Sequence, residues 1–177
     1  MPSPDGRPSD PGRFRSLMSH WATGVSVVTA HDGSADAGLT VNGLLSVSLA
    51  PPSLLVNLSN DTDTLPLIGR SGFFGASFLT AAQRSVSERF ALTRPAEEKF
   101  RGIAVHRGPH GSLLVDGSLG ALECRVVSQA AAYDHTLVVG EVVHQELGGE
   151  SAPLVFYRSG YAEADGPDRL RLSPRRP

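Results

Sequence analysis

The chain has 177 residues, of which 40% are hydrophobic and 19% are charged, which predicts one globular domain with a real core and excludes a largely disordered chain. A formal net charge of -2 argues against a dedicated nucleic-acid binder. The single cysteine, Cys124, excludes an internal disulfide, and no apolar run is long enough to cross a membrane. Because the first residues also lack the apolar core of a signal peptide, we expect a cytoplasmic protein with no membrane or nucleic-acid partner.

The two ends of the chain differ in composition from its middle. Residues 1–12 are rich in Pro, Ser and Gly, and residues 165–177 have a similar character with added arginines. Such segments cannot bury much surface, so both are predicted to be disordered tails. Residues 13–164 contain no internal repeat or linker and are predicted to form a single domain.

A helix is predicted at the start of the domain. Asp10 can cap it and Pro11 suits its first turn. Gly24 is expected to end it. Four apolar residues follow helical spacing on one face: Phe14, Leu17, Met18 and Trp21.

The segments that follow are typical of β-strands. VSVVTA and SLLVNLS are rich in β-branched and apolar residues, and FFGASFL has a similar pattern. Between the first two, GLTVNGLLSVSL predicts a long strand or a bent pair of strands, interrupted at Gly43.

Two short helices are predicted to interrupt the strands. The first lies in DTDTLPLIGRSG, with Asp61 or Thr62 as its cap and Gly69 near its end. The second opens with a capping box formed by Thr80 and Gln83. Its apolar residues repeat every four positions: Ala82, Val86 and Phe90.

The last strands are predicted in LLVDGSLGALECRVVSQAA, HTLVVGEVVHQEL and PLVFYRSGY, the first two as an antiparallel pair. In the first, apolar residues alternate with Glu123 and Arg125, which indicates a half-buried strand. In the strand that begins at His135, apolar residues occupy both faces. We therefore expect a helix or a second subunit to cover that strand.

Several common catalytic motifs are absent from the sequence. It contains no C-x-x-C, no G-x-S-x-G, no P-loop and no G-x-G-x-x-G that opens a helix after a strand, and its six histidines lack metal-site spacing. We therefore expect no metal site, and any nucleotide cofactor must bind without a Rossmann fold. Cys124 lies in an apolar strand and is interpreted as a core residue.

Small polar residues occur along otherwise apolar strands. They are Thr40, Asn42, Ser46, Ser48, Asn57, Ser59, Asn60, Thr62 and Thr64. Hydroxyls and amides on rigid strands suit the donor and acceptor edge of a flavin ring, and NDTDT at a strand-to-helix junction could offer backbone N–H groups to a phosphate. Taken singly, each residue is better explained by turn and capping chemistry, and Asp61 and Asp63 oppose an anion.

The order of these segments resembles the flavin reductase family with the FMN-binding split barrel, whose members supply reduced flavin to two-component monooxygenases. The resemblance covers residues 14–161 and rests on FRSLMSHWATGVSVVTA, GLTVNGLLSVSLAPPSLLVNLS, FLTAAQRSVSERFA, EKFRGI, GSLGALECRVV, YDHTLVVGEV and PLVFYRSGY in sequence. It implies a mainly β fold, a six-stranded split β-barrel (Greek key) with a few short helices, which forms a homodimer.

The resemblance also implies a set of cofactor-binding residues. Flavin-ring and ribityl contacts would come from Thr40, Val41, Asn42, Ser46, Val47 and Ser48. The phosphate and the rest of the nucleotide would lie near Ser59, Asn60, Thr64, Phe78, Leu79, Arg84, Ser87 and Phe90. His135 would face the nicotinamide as the catalytic-site residue, with weaker candidates in Phe14, Arg15, Lys99, Phe100 and Tyr157.

The implied activity is transfer of a hydride from NADH or NADPH to FAD or FMN, for use by a separate flavin-dependent monooxygenase. The cofactors carry that chemistry and the protein supplies placement. The sequence departs from the family at Ala50, at Ala76 and Ser77, and at Tyr133, which leaves the choice between FMN and FAD open.

Two other functions remain open at this stage. One is an FMN enzyme like pyridoxine-phosphate oxidase, which would need several Arg or Lys residues beside the ring, and the barrel strands supply few. The other is a non-catalytic flavin carrier or sensor.

Overall fold

The computed structural model describes residues 9–164 and 170–172 and is mainly β with few helices. The helices are α1 (Pro11–Met18), α2 (Thr64–Ser71), α3 (Arg84–Phe90) and α4 (Ala96–Phe100). The strands up to α3 are β1 (Thr23–Gly24), β2 (Ser26–His31), β3 (Asp36–Val41), β4 (Leu44–Leu49), β5 (Pro52–Ser59) and β6 (Phe73–Phe78). The later strands are β7 (Val105–Arg107), β8 (Leu113–Val115), β9 (Gly120–Ala132), β10 (His135–Leu147), β11 (Leu154–Tyr157), β12 (Gly160–Ala164) and β13 (Leu170–Leu172).

The principal sheet has seven antiparallel strands in the order β3-β2-β6-β9-β10-β5-β4. Its two edge strands are neighbours in sequence, joined only by residues 42–43, so the sheet must curl until its edges meet. Among the described residues, β3 and β4 do not pair with each other, and the barrel is left unclosed by hydrogen bonds. The sequence predicts six strands in the barrel, whereas this sheet contains seven. The predicted interruption at Gly43 is confirmed, because β3 ends at Val41 and β4 begins at Leu44.

A smaller sheet, β1-β11-β12-β13, lies beside the principal one, and β7 and β8 form a separate hairpin. Strand β2 lies between two apolar clusters because its faces bury different side chains. Val28 and Ala30 pack with Phe74 in one cluster, whereas Val27 packs with Phe90 in the other. Burial on both faces explains why apolar residues occupy the consecutive positions Val27 and Val28 in β2.

Glu123 corrects the expectation of a half-buried strand in β9. Its side chain is fully buried, and its two carboxylate oxygens accept hydrogen bonds from the backbone N–H groups of His110 and Ser112, each at 2.8 Å. The loop between β7 and β8 covers this face, and Gly108 lies so close that a Cβ there would approach the carboxylate to 2.5 Å. A buried acid that is satisfied by backbone donors is structural.

The helix ends differ from the sequence expectations in two places. Asp10 caps α1 by accepting from the Arg13 N–H at 2.8 Å, as predicted, but the helix ends at Met18 and Gly24 belongs to β1. Helix α2 begins after Asp63, and Gly72, at φ 72°, ends it in place of Gly69. The reason is backbone geometry, since the left-handed position that closes the helix falls at Gly72.

The capping box and the long hairpin agree with the sequence predictions. The Gln83 side chain accepts from the Thr80 N–H at 3.0 Å at the entry to the helical turn before α3. Strands β9 and β10 pair antiparallel along their length. On β10, Val138 is fully buried, whereas Val143 is 38% exposed.

A cluster of two histidines and two carboxylates fastens the end of β10 to the β7–β8 hairpin. His106 donates through Nδ1 to Asp116 Oδ1 at 2.6 Å and through Nε2 to Glu146 Oε1 at 3.1 Å, while His144 Nε2 donates to the same Glu146 oxygen at 2.9 Å. Since carboxylates only accept, both His106 nitrogens must carry protons. The bonds to Asp116 and then Glu146 raise the pKa of His106. These four residues are called the His106 cluster below.

The predicted tails fall mostly outside the described residues, namely at 1–8, 165–169 and 173–177. Within the predicted N-terminal tail, however, α1 already begins at Pro11, and within the predicted C-terminal tail, residues 170–172 pair with β12. In the part of the chain that the structure describes, no helix is long and apolar enough to span a bilayer.

Candidate functional site

An open cavity of about 900 Å³ lies where the two edges of the curled sheet meet the small sheet and the end of α1. Its volume is within the range typical of small-molecule and cofactor sites. The walls come from Arg15, Met18, Ser19, Trp21, Ala22, Thr23, Gly24, Val25, Ser26, Asn42, Gly43, Leu44, Leu45, Leu55, Asn57, Phe78, Leu79, Leu119, Leu137, Pro153, Leu154, Phe156 and Ser159.

The β3–β4 connection positions one polar wall of this cavity. The Asn57 N–H donates to the Gly43 carbonyl at 2.8 Å, and a Cβ at position 43 would lie only 3.0 Å from the Asn57 Cβ. Glycine is therefore needed for the chain to cross β5 this closely. The crossing places the amides of Asn42 and Asn57 at the cavity.

Thr23 supplies a further polar group at the cavity. It lies on β1, opposite Phe156 of β11, and its buried hydroxyl has no hydrogen-bond partner among the described residues. A buried hydroxyl without a partner is costly unless a ligand satisfies it. A largely apolar cavity with a few neutral polar groups suits a flavin ring, because the edge of that ring both donates and accepts hydrogen bonds. The residues that line this cavity therefore fit the implied cofactor.

Five of the sequence-predicted residues line the cavity: Arg15, Asn42, Asn57, Phe78 and Leu79. The neighbouring candidates on β3 and β4 lie around it. Val41 is buried in the core, and Thr40 donates its hydroxyl to the Ser87 carbonyl at 2.6 Å. Three more continue along β4 beyond the cavity, where the Ser48 hydroxyl accepts from the Ala50 N–H: Ser46, Val47 and Ser48.

The candidates around α2 and α3 hold those helices in place. Thr64 is buried, as are Ser87 and Phe90. The Ser87 hydroxyl lies 2.8 Å from the Tyr161 hydroxyl, and Arg84 pairs with Glu88 at 2.8 Å. These side chains therefore lie away from the cavity.

His135 is the first residue of β10, beside the tip of the β9–β10 hairpin, and it does not line the cavity. It is two residues from the cavity-lining Leu137, so both side chains point to the same face of β10. Its Nδ1 donates to Asp134 Oδ1 at 2.9 Å, and this bond lowers the pKa of Asp134. Because Nδ1 carries that proton, Nε2 is the ring atom available to a ligand.

Ser59 and Asn60 stabilise the same hairpin tip. The Asn60 amide donates to the Tyr133 carbonyl at 3.0 Å and accepts from the Thr136 hydroxyl at 2.8 Å. Ser59 pairs with His135 across the β5–β10 ladder. The structure thus brings Ser59, Asn60 and His135 together, although at the rim and not in the cavity.

The weaker candidates are dispersed. Phe14 is exposed on α1, and Tyr157 lines a second groove beside the cavity. Lys99 donates to the Gly38 carbonyl at 2.9 Å, and burial lowers the pKa of its ammonium group. Phe100 packs edge-on against Phe90 with ring centroids 5.0 Å apart.

Sequence reasoning missed several cavity residues, above all Thr23, Trp21 and Leu137. A threonine at the start of a two-residue strand carries no periodic signal, and Trp21 was assigned to the helix that in fact ends at Met18. Among the described residues, no group of three or more His, Cys, Asp or Glu could hold a metal ion. Burial raises the pKa of the Cys124 thiol to about 12, which leaves it unreactive at neutral pH.

Comparison with known proteins agrees with this geometry. A family model described as a flavin reductase like domain matches residues 18–165. The reductase component of 4-hydroxyphenylacetate 3-monooxygenase from Thermus thermophilus is 38% identical over 148 residues, which cover 84% of this chain and 93% of that protein.

Two solved structures share the fold. BorF, the flavin reductase component of a bacterial two-component tryptophan halogenase, superposes with a TM-score of 0.80 at 31% identity, covering 94% of this chain and 100% of BorF. The NADH:FAD oxidoreductase SgcE6 of Streptomyces globisporus, in complex with NAD and FAD fragments, gives a TM-score of 0.82 at 28% identity over 92% of this chain and 98% of that one. Since the family model matches residues 18–165 and the Thermus relative is 38% identical over 84% of this chain, the chain belongs to the flavin reductase family.

Proposed function

We propose that this chain is an NAD(P)H:flavin oxidoreductase that transfers a hydride from NADH or NADPH to FAD or FMN and supplies reduced flavin to a separate flavin-dependent monooxygenase. The observation that carries the proposal is the cavity between the sheet edges. It is lined by the amides of Asn42 and Asn57 and by Thr23, whose buried hydroxyl has no hydrogen-bond partner in the part of the chain that the structure describes. The relatives named above support the reaction and the partner class.

The residues of the chain place the reactants. Asn42 and Thr23 would hydrogen-bond the polar edge of a flavin ring, while Phe78 and Leu79 would pack against its apolar part. When bound there, a flavin would supply the hydride acceptor. Polar groups without charge suit this role because they orient the ring without fixing one charge state on it.

The rim residues are proposed to contact the outer parts of both cofactors. The predicted flavin contacts on β4, Ser46, Val47 and Ser48, follow the cavity edge towards solvent. His135 is proposed to position the nicotinamide through Nε2. It acts by hydrogen bonding, because hydride transfer needs no proton from it. Ser59 and Asn60 lie beside His135 and are proposed to contact the outer part of the flavin nucleotide.

We further propose a homodimer with the cavity near the subunit interface. Large apolar side chains are exposed on both sides of the cavity: Phe14 at 58%, Leu17 at 69%, Trp21 at 70%, Leu45 at 61% and Leu49 at 88%. A second copy that covered α1 and β4 would bury them and close the cavity mouth. Light scattering at micromolar concentration is expected to give the dimer mass, and a flavin-competent monomer would refute this part of the proposal.

A cytoplasmic location is proposed on one supporting observation. Cys124 is a free, buried thiol, which is compatible with a reducing compartment. Fractionation of cells that express the protein, followed by immunoblotting, tests this location.

Anaerobic spectroscopy tests the proposed reaction. Protein with one equivalent of FAD or FMN is mixed with NADH or NADPH, and the flavin absorbance is followed. Bleaching of the flavin band supports a reductase. A stable oxidised spectrum with both donors would instead support a flavin carrier or sensor.

A further inference from the structure

A second groove of about 610 Å³ adjoins the flavin cavity, between the end of α1 and the β11–β12 turn. The two share Arg15, Ser19 and Ser159, so a ligand in the cavity could continue into the groove without crossing a wall. The groove is lined by Gly12, Arg15, Ser16, Ser19, His20, Tyr157, Arg158, Ser159, Gly160 and Tyr161.

The lining of this groove is basic. It contains two arginines and one histidine, and it contains no Asp or Glu. Within the described residues, the Arg15 guanidinium has no hydrogen-bond or ion-pair partner. Arg70 and Arg107, by contrast, are paired with carboxylates, Arg70 with Asp32 and Arg107 with Asp36. Arg15 is thus the arginine at the cavity whose charge is left for a ligand.

The last carbonyls of helix α1 accept hydrogen bonds from the chain itself. The Ser16 carbonyl accepts from the Ser19 hydroxyl at 2.7 Å and from His20 Nδ1 at 3.0 Å. The Leu17 carbonyl accepts from the His20 N–H at 3.0 Å. The Arg15 guanidinium is therefore not needed to satisfy these carbonyls.

The turn that carries Arg158 is fixed in an unusual backbone conformation. Arg158 and Ser159 have φ angles of 51° and 58°, and they are the two central residues of the hairpin turn between Tyr157 and Gly160. Non-glycine residues are sterically disfavoured in this region. The Arg158 N–H donates to the Ser19 carbonyl at 2.6 Å, which ties the turn to the end of α1. This hydrogen bond connects the turn that carries Arg158 to the end of α1, the helix that carries Arg15.

We propose that this basic groove binds a phosphate group of the nicotinamide donor, with Arg15 as its principal ligand and Arg158 and His20 beside it. Guanidinium groups bind phosphate through charge-assisted hydrogen bonds, and phosphates are the anionic groups of a dinucleotide. The phosphate is either the pyrophosphate, which NADH and NADPH share, or the 2′-phosphate, which only NADPH has. This inference rests on the proposed flavin reductase function, because it assumes that the donor reaches the adjoining cavity.

The test measures binding of non-reacting ligands by calorimetry to the flavin-loaded protein. The ligands are ADP-ribose and ADP-ribose 2′-phosphate, and the variants are Arg15→Ala, Arg15→Lys and Arg13→Ala. Arg13 is a matched control, since it is exposed on the same helix and lines neither groove. Arg15→Ala is expected to weaken binding about tenfold or more, Arg15→Lys less, and Arg13→Ala less than about twofold. Thermal melts confirm that each variant is folded.

The pattern across the ligands separates the outcomes. Equal loss for both ligands assigns the groove to the pyrophosphate, and loss for the 2′-phosphate ligand alone assigns it to the 2′-phosphate and predicts a preference for NADPH. Unchanged binding in Arg15→Ala, equal weakening in Arg13→Ala, or loss of flavin affinity in place of ADP-ribose affinity would each overturn the inference. Failure of the wild-type protein to bleach flavin would instead refute the proposed function.

Discussion

Substitution of Thr23 by valine is expected to raise the unfolding free energy of the flavin-free protein and to lower its affinity for flavin. Valine keeps the shape of threonine and removes only the hydroxyl, which is buried without a partner at the cavity. An unsatisfied buried hydroxyl costs about 1–3 kcal/mol, so the unfolding free energy of the flavin-free protein is expected to rise by about 1 kcal/mol. If bound flavin satisfies that hydroxyl, the variant loses a neutral hydrogen bond of about 0.5–1.5 kcal/mol. Flavin affinity should then fall by about twofold to tenfold.

The assay pairs urea denaturation of the flavin-free protein with a fluorescence titration of FAD and of FMN. Ser112→Ala is the matched control, because Ser112 has the other unpaired buried hydroxyl and lies outside the cavity. Its backbone N–H still donates to Glu123 in the variant. The control is expected to gain stability and keep its flavin affinity. Unchanged flavin affinity in Thr23→Val, beside the same gain in stability, would show that the ring does not reach this wall.

Three further predictions concern the core, the pH dependence and the donor. Gly140→Ala should lower the unfolding free energy by about 1–3 kcal/mol in urea denaturation, since the new Cβ would lie 2.6 Å from Phe74, whereas Gly149→Ala meets nothing within 4 Å and should be near neutral. The His106 cluster contributes stability that is complete below the ordinary histidine pKa of about 6.5 and is lost as pH rises through the raised pKa of His106. His106→Gln should therefore flatten the pH dependence of the unfolding free energy above about pH 6.5, and an unchanged slope there would refute this prediction. His135→Ala should lower kcat/KM for NADH about tenfold, or about 1.4 kcal/mol, and leave flavin affinity unchanged; unaltered stopped-flow reduction would make His135 structural.

Local signals predicted much of the fold. The Asp10 cap and the Thr80–Gln83 capping box depend on residues within a few positions of each other, and both are present in the structure. The sequence also predicts the bend at Gly43, because glycine interrupts an apolar run there. The sequence predicts that Glu123 is exposed, but its side chain is buried beneath the β7–β8 hairpin, which begins at Val105. Alternation of residues within one strand cannot indicate a contact with so distant a segment.

The candidate site was predictable only in part, for a similar reason. Asn42 and Phe78 line the cavity, whereas Thr64 is buried and the buried Ser87 hydroxyl lies 2.8 Å from the Tyr161 hydroxyl. Hydroxyls at such positions look alike in sequence, whether they face a ligand or a backbone carbonyl. Thr23 is identified as a candidate site residue only because its buried hydroxyl has no hydrogen-bond partner among the described residues, and this is a property of the folded chain.

Anaerobic stopped-flow spectroscopy with NADH deuterated at the transferred C4 position tests the central claim most directly. The flavin-loaded protein is mixed with protonated or deuterated donor, and the decay of the oxidised flavin band is recorded. A direct hydride transfer between the two cofactors predicts complete bleaching that is slower with the deuterated donor. Persistence of the oxidised flavin spectrum at saturating NADH and at saturating NADPH would contradict the assignment of this cavity to a flavin reductase.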